Sequence, residues 1–154
     1  MVSLTKMRWK LLLLGIVRIP LIGFVRPKLI SVNMEEIVVS ISLRKRTKNH
    51  LNSMYFGALA VGADVAAGIL AYYHAEMLKK KISLAFKGLN AEFLKRAESD
   101  IRFVCSAGKH IENMIQTSIS SGERQNESVM VYAVNNLDEQ VAIFELILSI
   151  KVLV

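Results

Sequence analysis

The spacing of apolar residues changes along the chain, and each change predicts an element. Over residues 5–17 basic and Leu-rich positions are mixed, which predicts a helix. Pro20, Gly23 and Pro27 then punctuate a crossing loop. Residues 35–44 (EEIVVSISLR) alternate, placing Ile37, Val39, Ile41 and Leu43 on the buried face of a strand. Residues 49–73 (NHLNSMYFGALAVGADVAAGILAYY) open with polar side chains and turn almost wholly apolar from Met54. Their Ala content, with Asn52 and Ser53 as a cap, favours a helix, although Gly57, Gly62 and Gly68 weaken it. No face of this segment is polar, so the helix is expected to be buried all round.

Beyond it, residues 74–81 read as a polar exit that leaves His74 on the surface. Ile82, Leu84 and Phe86 alternate, and Leu89, Ala91 and Phe93 resume in the opposite phase. A strand with a bulge or kink near Gly88 explains that slip. Ile101, Phe103 and Cys105 share a face of the next strand, and residues 108–121 fit a short helix or a loop. Val129, Val131 and Ala133 mark another strand, with its turn at Asn135, Asn136 and Asp138. Residues 141–154 are the most apolar strand, which suits a central position covered on both sides. One strand ahead of a long buried helix and four behind it predict an α+β domain, with an antiparallel sheet of about five strands wrapped around the helix.

Composition narrows the partners. A length of 154 residues fits one domain: a helical arm and crossing loop over 1–34, then a core over 35–154. The net charge of +7 points to anionic partners, but aromatics are only 7% and no zinc-finger spacing or basic helix occurs, so nucleic acid is not expected. The single Cys105 excludes an intramolecular disulfide and fits a reducing cytoplasm. No transmembrane segment is expected. Arg18 and Pro20 interrupt the apolar run at 11–25, and Asp64 would sit at mid-membrane in 54–73, costing roughly 2.5–3.5 kcal/mol. The arm is read as packed, with an anchoring role left open.

Asp64 is the chemical misfit. A lone carboxylate in a buried helix is costly unless it is paired, protonated or in use. The order strand, buried helix, four-strand meander, with Asn49-His50, Tyr55-Phe56-Gly57-Ala58-Leu59 and Ala63-Asp64, resembles the acyl-CoA thioesterases of the hotdog fold over residues 35–152. In their motif an Asn precedes a His-Gly-Gly helix start and an Asp follows two turns later. Here the Asn-to-Asp spacing is kept and Tyr55-Phe56 replace the His-Gly pair. The segment Ala91-Glu92-Phe93-Leu94-Lys95-Arg96-Ala97 resembles a strand end of the same enzymes, and the N-terminal arm resembles an uncharacterised, thioesterase-like branch.

The resemblance implies thioester hydrolysis on acyl-CoA, with coenzyme A as part of the substrate and no further cofactor or metal. A thioester oxygen that becomes negative needs donors, and free N–H groups at a helix N-terminus, those of Phe56 and Gly57, can supply them. Asp64 would activate water or attack the carbonyl itself. It lies seven residues beyond Gly57, about 10 Å along a helix, so one chain cannot place both groups on one carbon. A homodimer with antiparallel central helices can, and relatives are dimeric in that way; a tetramer stays open. Asn49 would orient the thioester or water, and Asn52 would cap.

His50 and Tyr55 are candidate substrate contacts, and Arg44, Lys45, Arg46 and Lys48 form a basic run compatible with the phosphates of CoA. Lys95 is a further candidate at the strand end. Each has a structural alternative: a buried bridge for Asp64, caps for the Asn residues, a solvated edge for the basic run. A non-catalytic acyl or CoA binder and a hydratase/dehydratase using His50 with Asp64 remain as rival functions, and an acyl carrier protein as a rival substrate.

Overall fold

The computed structural model describes all 154 residues. The chain forms α1 (Leu4–Leu13), a π-helical turn (Leu14–Arg18), α2 (Pro20–Val25), β1 (Lys28–Val32), β2 (Ile37–Ile41), α3 (Phe56–Met77), β3 (Lys81–Phe93), β4 (Ile101–Cys105), α4 (Gly108–Ser121), β5 (Gln125–Val134) and β6 (Gln140–Leu153). The strands make one antiparallel sheet in the order β1-β2-β4-β5-β6-β3. It curves around α3 as an α+β hotdog arrangement.

Alternation in the sequence fits the burial of the short strands. Ile37, Val39 and Ile41 of β2 and Ile101, Phe103 and Cys105 of β4 turn inward onto α3. The helix packs tightly on the sheet at Gly62, where a Cβ would lie 2.3 Å from the Phe103 ring. Only a residue without a side chain fits there. The slip expected near Gly88 is present: the β3–β6 register shifts between Phe86 and Gly88.

Several expectations are revised. The sheet has six strands, because the supposed crossing loop contains α2 and β1. Pro20 starts α2 at its first turn, where a missing N–H costs nothing, and Arg26 ends it in the left-handed conformation. The strands after α3 are not a meander: β3 pairs with the last strand and occupies an edge, while β4 pairs with β2. Asn52 and Ser53 do not cap α3; its N-cap is Tyr55, which makes no side-chain cap. The helix runs to Met77, past the expected polar exit, and carries His74 into the core.

α3 is long and apolar enough to cross a membrane, but 72% of its most apolar window is buried inside the protein. Nor is it buried all round. Gly57, Ala60, Val61 and Asp64, spaced i, i+3, i+4, i+7, form a half-open stripe on one face.

Candidate functional site

The entrance to α3 is built by local hydrogen bonds. The Asn49 side-chain oxygen accepts from the Leu51 N–H (2.9 Å), the Ser53 N–H (3.2 Å) and the Ser53 hydroxyl (3.2 Å). This Asx-type turn occupies that oxygen and leaves the amide NH2 as the chemical end of Asn49. The Tyr55 N–H donates to Thr47 O and the Met54 N–H to Ala97 O, both at 2.8 Å. The second bond fastens the segment after β3 to the helix entrance.

α3 then starts without a side-chain cap. The N–H groups of Ala58 and Leu59 donate to Tyr55 O, whereas no acceptor in the chain takes those of Phe56 or Gly57. These are two of the orphan donors of a helix start, at the positive end of the helix dipole. The Tyr55 ring covers Gly57, so closely that a Cβ there would meet Tyr55 Cε1 at 2.4 Å. Tyr55, Phe56 and Phe93 form a solvent-facing aromatic cluster, with ring centroids 4.7 Å apart for Tyr55–Phe56 and 6.3 Å for Phe56–Phe93.

Asp64 lies two turns further along the half-open stripe, and no side-chain hydrogen bond or ion pair in the chain involves it. Burial pushes its pKa from 3.8 up to about 6, since the charged form loses hydration without gaining a partner. Gly68, one turn on, leaves space between Asp64 and the side chains of Leu84 and Phe86 on β3. Within the chain no partner bridges Asp64 to another buried group.

The other candidates divide. Arg44, Lys45, Lys48 and His50 are exposed around the entrance, and the loop that carries them is pinned by the buried Thr47 hydroxyl, which donates to Ser42 O at 2.8 Å. Arg46 faces the arm instead: its guanidinium stacks 5.1 Å from the Phe24 ring and donates to Phe24 O. Lys95 pairs with Glu139 at 2.8 Å on the exposed side. His110 is at the surface, paired with Glu127. His74 is not: it is fully buried, and neither ring nitrogen has a hydrogen-bond partner. Burial lowers its pKa against a smaller opposing pull from Glu112. The Met34 carbonyl lies beside the ring but outside hydrogen-bond geometry. Cys105 is likewise buried, with its thiol pushed up to about 11.

Asp64 and the Phe56 and Gly57 amides sit on one helix about 10 Å apart. The cavities of about 470–760 Å³ beside the arm are lined by none of them. Those cavities follow the arm and the C-terminal half of α3.

The family described as a domain of unknown function (DUF4442) matches residues 8–150. No curated protein sequence matches significantly. Among solved structures, a candidate thioesterase from Shewanella oneidensis superposes with a TM-score of 0.83 at 13% identity, over 95% of this chain and 98% of that one. A protein of unknown function from Chlorobaculum tepidum gives 0.84 at 15% identity, over 96% and 95% of the two chains. A thioesterase from Haemophilus influenzae gives 0.70 at 11% identity, over 100% and 94%. At such identities the likeness establishes a shared fold.

Proposed function

The chain belongs to the DUF4442 family, and we propose that within it this protein is a thioester hydrolase acting on acyl-CoA in the cytoplasm, working as a homodimer. One observation carries the reading: a partnerless carboxylate of raised pKa lies on the half-open stripe of α3 and two unclaimed helix N–H donors lie at the stripe's N-terminal end, too far apart to act within one chain. Antiparallel packing of two such helices would set Asp64 of one protomer against the amides of the other. The edge strand β3 supports the same partner. Thirteen residues long and paired on one side only, it offers a row of free backbone groups that a second copy can take up.

In this reading the thioester oxygen lies against the Phe56 and Gly57 N–H groups, which stabilise the negative charge formed as the carbonyl carbon is attacked. The Asp64 carboxylate takes the proton from the attacking water. The tetrahedral intermediate then collapses, the C–S bond breaks, and the CoA thiolate leaves and is protonated. Direct attack by Asp64 would instead give an anhydride that water cleaves. The Asn49 NH2 group is available to hold the thioester or the water, and His50 faces solvent beside it. Tyr55, Phe56 and Phe93 would flank the acyl group. Arg44, Lys45 and Lys48 would meet the CoA phosphates, while Lys95 is paired with Glu139 and Arg46 is turned toward Phe24.

The names borne by the Shewanella and Haemophilus structures agree with this chemistry. The Tyr55 ring above Gly57 favours a second reading, a non-catalytic acyl-CoA binder, if the ring keeps the carbonyl from the amides. A thiol-release screen over short, medium, long and aromatic acyl-CoAs separates them. Turnover of at least one class is expected; saturable binding of acyl-CoA with no thiol released would leave the binder.

A further inference from the structure

The N-terminal arm carries two apolar stripes. Met7 and Leu11 are buried against the core, as an arm helix requires. On the opposite side Trp9, Leu12, Leu13, Ile16 and Val17 fall at i, i+3, i+4, i+7 and i+8 and are 48–69% exposed. α2 adds two more exposed apolar side chains, Leu21 (60%) and Phe24 (53%). Single apolar side chains on a surface need no explanation, but a contiguous face of this kind marks an interaction site. The face is firmly held: the arm crosses itself at Gly15 and Gly23, where a Cβ on Gly23 would lie 2.4 Å from Gly15 O.

Charge indicates what covers it. Residues 1–34 contain six cations, Lys6, Arg8, Lys10, Arg18, Arg26 and Lys28, and no carboxylate. Lys6 and Lys10 share the single carboxylate of Glu76, which offsets one of their two charges. Arg8, Arg18, Arg26 and Lys28 have no ion-pair partner, and Arg46 joins them by stacking on Phe24. A groove of about 760 Å³ between the arm and β1 is lined by Leu12 and Ile16 together with Arg8, Arg26 and Lys28. It offers apolar walls and cations to the same ligand. A second copy docked through this face by two-fold symmetry would bring the cations against themselves. An anionic lipid surface accepts both the apolar stripe and the charge.

We propose that the N-terminal arm docks this protein on anionic phospholipid bilayers, with Trp9, Ile16 and Val17 in the interface and Arg26 and Lys28 on lipid phosphates. The arm lies on the membrane and does not span it: α1 and α2 have 10 and 6 residues, far short of a bilayer. The inference is independent of thioester chemistry.

The test uses the intact protein with vesicles of phosphatidylcholine alone or mixed with phosphatidylglycerol. Partition onto the mixed vesicles is expected to be at least about tenfold stronger and to fall with salt. Trp9, the one tryptophan in the chain, should shift its emission to the blue on binding. Ile16→Asp with Val17→Asp should abolish the partition with an unchanged circular dichroism spectrum. Arg26→Gln with Lys28→Gln should weaken it and flatten its salt dependence. Equal partition onto both vesicle types, or an unshifted Trp9, overturns the proposal. So does self-association that Ile16→Asp dissolves in the absence of vesicle binding, which would make a second copy the occupant.

Discussion

The ring of Tyr55 lies over Gly57 at the first turn of α3, leaving no room for a Cβ, which would fall 2.4 Å from Tyr55 Cε1. Tyr55 is 48% exposed, so its ring can swing away into solvent. Gly57→Ala should therefore fold with a stability loss of about 1 kcal/mol or less, yet change kcat/KM by displacing the ring from the two N–H donors. Gly62→Ala makes an equally short contact with the fully buried Phe103, which has nowhere to go. It should cost about 1–3 kcal/mol, the usual penalty of overpacking. Thermal melts and steady-state kinetics on the two variants separate site from core.

Asp64→Asn keeps the shape of the side chain and removes its basicity. Turnover should fall about 10²-fold or more, the scale of a general base, with the fold retained. Near-normal hydrolysis accompanied by a collapsed melting temperature would assign Asp64 a structural role instead.

The pH dependence follows from the same residue. In the proposed mechanism the carboxylate is the active form, so kcat/KM should rise with pH through about 6. For stability the sign is opposite. Between 3.8 and about 6 the folded state holds a proton that the unfolded state has released, so stability declines as pH rises across that window. Asp64→Asn should accordingly stabilise the protein at pH 8 and leave it unchanged at pH 3. Denaturant titrations at the two pH values would reveal the difference.

A homodimer is expected from the open stripe of α3 and the unpaired β3 edge. Light scattering at micromolar concentration should give twice the chain mass of 17.2 kDa. A stable, active monomer would remove the two-chain site.

Neutralising Arg44, Lys45 and Lys48 together should raise KM and weaken its salt dependence while kcat changes little. Arg46→Ala should differ, lowering stability through loss of its packing on Phe24 without altering the salt response. Kinetics over a salt series distinguish the two outcomes.

Local pattern was sufficient for much of this protein. Alternation located β2, β4 and β5, the phase slip at Gly88 located a bulge inside β3, and an uninterrupted apolar run with one carboxylate located α3 and singled out Asp64. These signals lie between residues a few positions apart, where side-chain direction repeats with the backbone period. β1 escaped because only Leu29 of its five residues is buried, leaving no alternation, and because two prolines that read as loop punctuation bracket α2 instead. Polarity points His74 to the surface, whereas its burial follows from α3 running on to Met77. Strand order, the free edge of β3, the Tyr55 ring above Gly57 and the outward face of the arm were decided only by tertiary structure. Each depends on which elements meet across long stretches of chain, and hydrophobic period says that a face must be covered without saying by what.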